Sequence, residues 1–251
     1  MAFRSKVTSK LGRLGSIVGK VNGAFSNVQK LDQDVTFDFT QKNLDTINLK
    51  PKAHPSHLFQ RSNLEAYTSK LTVMFCDLVG STALSEQLAP CEYLTVIRSY
   101  QELCTLVIRN FQGYIAQPLG DGLLVYFGYP HVQPDDATRC VKAGLGVLIA
   151  MQQLNLILRE KLQLQLAARV GIATGEVLMG QVGVGNKSEW LAIGLIPNIA
   201  ARLQSLATSN SVVLCPTTHK LVSECVENCQ SLGQRSLKGI SQPMEVYQVS
   251  V

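Results

Sequence analysis

Charge is scarce in this sequence and unevenly placed. Charged residues make up 16% of the 251 positions against 46% hydrophobic ones, so a sizeable core can be buried. Residues 1–31 contain no acid, while Arg4, Lys6, Lys10, Arg13, Lys20 and Lys30 make that stretch basic. Without it the chain is nearly neutral, which argues against a nucleic-acid-binding surface on the main domain. No run of about 18 uncharged apolar residues occurs, so no transmembrane helix is expected. The basic N-terminus lacks a compact apolar stretch before a small-residue cleavage site, so no secretory signal is expected either. The G-x-x-x-x-G-K-[ST] phosphate loop is missing, which removes the main part of a kinase or Walker-type ATPase reading. No C-x-x-C pair exists among Cys76, Cys91, Cys104, Cys140, Cys215, Cys225 and Cys229. These thiols are odd in number and scattered through apolar runs, as reduced core cysteines would be, and a cytoplasmic setting is expected.

The first clear pattern lies in that basic stretch. Val7, Leu11, Leu14, Val18, Val21, Phe25 and Val28 alternate in steps of four and three and share one helix stripe. Gly12, Gly15, Gly19 and Gly23 oppose it, each costing a helix about 1 kcal/mol relative to Ala. Such a helix needs a surface to fold on: a membrane (peripherally, at its inner face), a partner helix or the neighbouring domain. The alternative is a flexible tail. Residues 32–69 are polar and irregular, with His54, Pro51, Pro55 and His57, and read as a linker or extended arm.

From residue 70 to 251 the texture is that of a folded domain. Residues 71–75 form a short buried strand leading to Asp77, and residues 91–111 repeat apolar side chains at helical spacing. Residues 114–117 and 122–127 are strand-like on either side of Leu119-Gly120-Asp121-Gly122, a hairpin with Asp121 at its tip. A long helix is expected over 137–158, opened by Asp135 and Asp136 as the helix dipole favours. Residues 164–172 and 176–180 suggest a strand pair punctuated by Gly171 and Gly175. A helix over 197–206 puts Asn198 and Arg202 on one face. A strand at 212–215, a helix at 216–224 and strands near 230–237 and 244–249 complete an α+β fold, one sheet with helices packed on it.

Asp77 and Asp121 each sit at the end of an apolar strand. If those strands are neighbours, both carboxylates meet at one sheet edge and can hold a hard cation together with substrate phosphates. Two cations held in this way can activate an attacking oxygen and neutralise a leaving pyrophosphate. Alternatively, Asp121 only makes a turn and Asp77 only caps the following helix. Residues 78–82 lead from strand into helix and offer free backbone N–H groups to an anion.

Four stretches in order, Phe75-Cys76-Asp77-Leu78-Val79-Gly80-Ser81-Thr82, Leu119-Gly120-Asp121-Gly122, Arg169-Val170-Gly171-Ile172-Ala173-Thr174-Gly175 and Asn198-Ile199-Ala200-Ala201-Arg202-Leu203, resemble the successive motifs of the class III nucleotidyl cyclase catalytic domain of bacterial type. The resemblance implies a ferredoxin-like βαββαβ sheet and a head-to-tail homodimer with its sites at the interface. It implies two Mg²⁺ or Mn²⁺ per site, held by Asp77, Asp121 and the Leu78 backbone carbonyl. Val79, Gly80, Ser81, Thr82, Arg169 and Lys238 would contact phosphates of a nucleoside triphosphate. Asn198 would orient the ribose and Arg202 would stabilise charge on the α-phosphate, both at the partner's metals. Read without the resemblance, Arg202 is a helix-surface charge, Arg169 a partly buried ion pair and Lys238 a turn residue.

The base-reading positions depart from the pattern. Adenine-selective members usually carry Lys where Gln117 stands, and Asp or Thr where Leu191 stands. Gln117 can still offer one donor and one acceptor to a base edge, whereas Leu191 can only pack. Leu195 and Ile196 replace polar residues common before the Asn. ATP is the expected substrate, a pyrimidine triphosphate (CTP or UTP, as in defence signalling) is the rival, and a catalytically degenerate nucleotide-binding regulatory dimer is a third reading. Residues 1–31 are expected to carry the chain onto anionic liposomes; equal sedimentation of the whole chain and of a version lacking them would remove that expectation.

Overall fold

The computed structural model describes residues 66–184, 187–226 and 228–250, with backbone alone at 183, 184, 187 and 188. The basic stripe at 1–31 and most of the arm therefore lie outside the described residues. The chain runs β1 (Ala66–Leu78), α1 (Ser81–Gln87), α2 (Pro90–Asn110), β2 (Tyr114–Leu119), β3 (Gly122–Phe127), α3 (Asp136–Leu162), β4 (Ala168–Val184), β5 (Lys187–Ile193), α4 (Leu195–Leu206), β6 (Ser211–Leu214), α5 (Pro216–Val222), β7 (Cys229–Arg235) and β8 (Met244–Ser250). Strand β1 begins at Ala66 rather than Leu71. Thr68, Ser69 and Lys70 break the apolar run that marks a strand, yet they pair with residues 176–178 of β4.

Strands β2, β3, β1 and β4 lie side by side as antiparallel neighbours. With α2 before β2 and α3 between β3 and β4, this is the ferredoxin-like βαββαβ arrangement. Strand β6 then joins β4 in parallel, followed by β8 and β7. Alternation along β1 divides the core between two faces. Met74, Cys76 and Leu78 pack against α2 and α3, while Leu71 and Val73 face Ile199, Ala200 and Leu203 of α4. Asp77 follows the second set, so its side chain lies on the α4 side. Helix α3 is long and apolar enough to cross a membrane by length and composition alone. Here it is a core helix, with Val141, Val147, Met151, Leu154 and Leu158 buried beneath the sheet.

The expected strand pair at 164–172 and 176–180 is instead one 17-residue strand, β4, whose hairpin partner is β5. Gly171 and Gly175 do not punctuate it. They lie on one face, two pleats apart, and clear a track for α4. A Cβ at Gly171 would collide with the backbone nitrogen of Gln204 and the carbonyl oxygen of Ala200, and one at Gly175 with the Ile196 side chain. The polar start of β5 is what conceals it from an apolar-run criterion.

At the hairpin tip, Leu119 pairs with Gly122, leaving Gly120 and Asp121 as a two-residue turn. Gly120 takes φ 70°, a left-handed conformation that glycine adopts without strain. Gln101 of α2 pins this turn by donating to the Gly120 carbonyl at 2.6 Å. Gly171→Ala is expected to cost on the order of 3 kcal/mol, because rigid backbone rather than a side chain must yield. The melting midpoint, followed by circular dichroism, should fall by roughly 6–12 °C. Gly175→Ala should cost less, since only Ile196 stands in its way.

Candidate active site

The sheet register puts three chemically loaded positions in a row. Asp77 of β1 lies opposite Gly122 of β3 on one side and opposite Arg169 of β4 on the other. Asp121, the residue before Gly122, is thereby carried to the edge where Asp77 stands. The Asp77 carboxyl oxygens face different ways. Oδ1 lies on the Gly122 side, 3.2 Å from where a Cβ on that glycine would be. Oδ2 accepts a hydrogen bond from Gln204 Nε2 at 3.2 Å and is 3.7 Å from Arg169 Nη2.

Burial raises the pKa of Asp77 most, followed by the charge of the neighbouring Asp121. Arg169 and a backbone hydrogen bond at Leu78 pull the other way without reversing the shift. A carboxylate whose ionised form is opposed by burial and by a neighbouring acid fits a hard divalent cation, which would supply the missing positive charge. Among the described residues no group of three or more His, Cys, Asp or Glu is able to hold a metal. A cation at the two carboxylates would therefore take its further ligands from neutral oxygens such as the Leu78 carbonyl, from water or from substrate. Among the described residues, the buried side-chain atom left without a hydrogen-bond partner is Arg169 Nε, beside this cluster.

Asp77 does not cap the following helix. The N-cap of α1 is Gly80, at φ 71°, and no side chain caps it. Of the segment expected to meet phosphates, Val79 has its N–H committed to the Ala167 carbonyl at 2.8 Å. That bond leaves Gly80 as the turn residue and the first-turn N–H groups of Ser81 and Thr82 without helical acceptors.

Asn198 and Arg202 are exposed on α4, on the face opposite Ile199, Ala200, Leu203 and Gln204. Arg202 Nε donates to the Lys238 carbonyl oxygen at 3.1 Å, and the Lys238 side chain is exposed. Within one chain, then, Asp77, Asp121, Arg169 and Gln204 converge, whereas Asn198, Arg202 and Lys238 belong to an outward face. Half-buried Gln117 sits opposite Leu124, just past a bulge in β2, and half-buried Leu191 opposite Gly180 in the β4–β5 hairpin. Sequence reasoning missed Gln204. Its signal was a polar residue completing the apolar stripe of 199, 200 and 203.

Residues 65–251 match the family described as the adenylate and guanylate cyclase catalytic domain. The chain belongs to this family. Its cyclase domain is similar to the crystal structure of the adenylyl cyclase CyaB from P. aeruginosa, with a TM-score of 0.72, 30% identity, and coverage of 74% of this chain and 96% of that one. It is similar to the guanylyl cyclase Cya2, with a TM-score of 0.67, 31% identity, and coverage of 73% of this chain and 93% of that one. It is also 32% identical over 156 residues to an Escherichia coli protein named cytidylate cyclase, covering 59% of this chain and 34% of that protein. The chain spans between 13% and 41% of the length of such curated relatives.

Because folding raises the pKa of Asp77, ionisation of this group opposes the folded cyclase domain. Its favourable contribution is full below the ordinary carboxylate range and is lost as pH rises through the raised value. In a chelator, Asp77→Asn should therefore raise the melting midpoint at pH 7, and the gain should shrink as pH falls through the carboxylate range. An unchanged or lowered midpoint at pH 7 would contradict the electrostatic account.

Proposed function

We propose that two copies of this domain close ATP into 3',5'-cyclic AMP and pyrophosphate. The ribose 3'-hydroxyl gives up its proton to solvent as its oxygen attacks the α-phosphorus, the bond to the α,β-bridging oxygen breaks, and pyrophosphate departs with that oxygen. The observation that carries the reading is the Asp77–Asp121 pair at one sheet edge, with the ionised form of Asp77 opposed by Asp121. Divalent cations held there, two Mg²⁺ or Mn²⁺, would lower the pKa of the attacking hydroxyl and neutralise phosphate charge.

The remaining steps fall to this chain's own side chains. Arg169, with its buried Nε unsatisfied, is suited to a phosphate oxygen, as are the N–H groups of Ser81 and Thr82; Lys238 serves the same end from an exposed position. Asn198 orients the ribose and Arg202 offers its guanidinium where charge grows on the α-phosphate. The outward position of both on α4 supports their serving a second copy. Leu178, Val182, Ile193 and Leu195, apolar and exposed on the β4–β5 hairpin and the start of α4, supply a surface for that copy.

A pyrimidine triphosphate is the second reading. It is favoured by Leu191, which offers a base edge no hydrogen bond, and by the likeness to a protein named cytidylate cyclase. Purified protein is incubated with ATP, GTP, CTP and UTP in Mn²⁺ or Mg²⁺ and the products are identified by mass. Cyclic AMP as the main product is the expected result, and cyclic CMP or cyclic UMP would move the assignment to the second reading. Asp77→Ala and Asp121→Ala should each lower turnover on the order of 10³-fold; wild-type rates in both would end the cyclase assignment of this site. Mixing inactive Asp77→Ala with inactive Arg202→Ala should restore about one quarter of wild-type activity, because half of randomly paired dimers then carry one intact site of two.

A further inference from the structure

Gln204 is only 8% exposed, although polar, and completes the buried stripe by which α4 packs on the sheet. A buried amide needs partners. Its Nε2 donates to Asp77 Oδ2, and its Oε1 accepts from Ser205 Oγ at 3.4 Å. Helix α4 rests on the bare backbone of Gly171 at this residue, so the amide reaches Asp77 only in the seated position of the helix. With Oδ2 taken up by Gln204 and Arg169, Oδ1 is the oxygen left on the Gly122 side, at the hairpin that carries Asp121. A neutral amide orients a carboxylate without adding positive charge that would compete with a cation.

We propose that Gln204 is the positioning residue of Asp77. It fixes Oδ2 and thereby keeps Oδ1 turned toward Asp121. Because Asn198 and Arg202 project from the opposite face of the same helix, Gln204 also ties the carboxylate of one site to the groups that α4 presents outward. This inference rests on the reading of Asp77 and Asp121 as cation ligands. It goes further by making the seating of α4 a condition for competent Asp77 geometry.

The test compares wild type with Gln204→Met, which keeps length and packing but removes the donor, and with Gln204→Leu. Mn²⁺ binding to the full chain without nucleotide is measured by electron paramagnetic resonance. Both variants are expected to bind Mn²⁺ about tenfold more weakly, as loss of a supporting hydrogen bond to a ligand does. Their kcat should fall while KM for the triphosphate holds, and excess Mn²⁺ should recover part of the loss. Wild-type Mn²⁺ affinity in either folded variant overturns the proposal, as does lost activity that excess Mn²⁺ leaves unchanged. Asp77→Ala is run alongside: if it too binds Mn²⁺ as wild type does, the cation-site reading itself fails. The Gln204 side-chain amide resonance of ¹⁵N-labelled wild-type protein decides without a substitution. It must shift on titration with Mg²⁺ alone, and a stationary resonance overturns the proposal.

Discussion

Helix α4 can lie flush on β4 only because position 171 has no side chain. That contact sets the height of the helix above the sheet, and several features depend on the height. It closes the core formed by Leu71, Val73, Ala173, Ile199, Ala200 and Leu203. It brings the Gln204 amide within reach of Asp77. It also fixes the rotation of α4, so that Asn198 and Arg202 emerge on the solvent side. A glycine in a long strand costs conformational entropy and a packing side chain. Here that cost is offset by an approach of helix to sheet that no other residue permits.

The charge arrangement follows from the sheet rather than from the helix. Antiparallel pairing places Asp77 directly between the hairpin tip and Arg169, so one acid and one base flank the same carboxylate. Arg169 lessens but does not cancel the penalty that burial and Asp121 impose on it. A fully neutralising partner would produce a stable ion pair with little remaining attraction for a cation. The partial compensation observed leaves net negative charge in a half-buried setting, where a divalent ion is worth more than in bulk water. The Nε of Arg169, buried and unpaired, marks a second incomplete interaction at the same edge.

The two positions expected to face the base lie on a different set of elements. Gln117 belongs to a bulged edge strand, and Leu191 to the hairpin that extends from β4. A base held between such segments would be read by pocket shape as much as by hydrogen bonds. Members of the same family that match this chain carry names for adenine, guanine and cytosine products.

Elements with strong periodicity were legible before any coordinates. The α2 and α3 helices, the β2–β3 hairpin and the Asp at its tip followed from local spacing and turn chemistry, which depend on neighbours in the chain. Polar stretches were not legible: Ala66–Lys70 pair with residues 176–180, a partner far along the chain that leaves no local trace, and the polar start of β5 lacks the apolar run that marks a strand even though β4 adjoins it. Glycine was misread for the same reason. Gly171 signals a break when only its flexibility is considered, but its role is set by a helix arriving from thirty residues further on. By itself the sequence determined the family, the long helices, the β2–β3 hairpin and the acids at two strand ends, because each of these is written in contiguous residues. Only the tertiary structure decided that Gln204 faces Asp77 and that Val79 has spent its N–H on Ala167. Those facts come from contacts across the chain, where packing rather than propensity selects the partner.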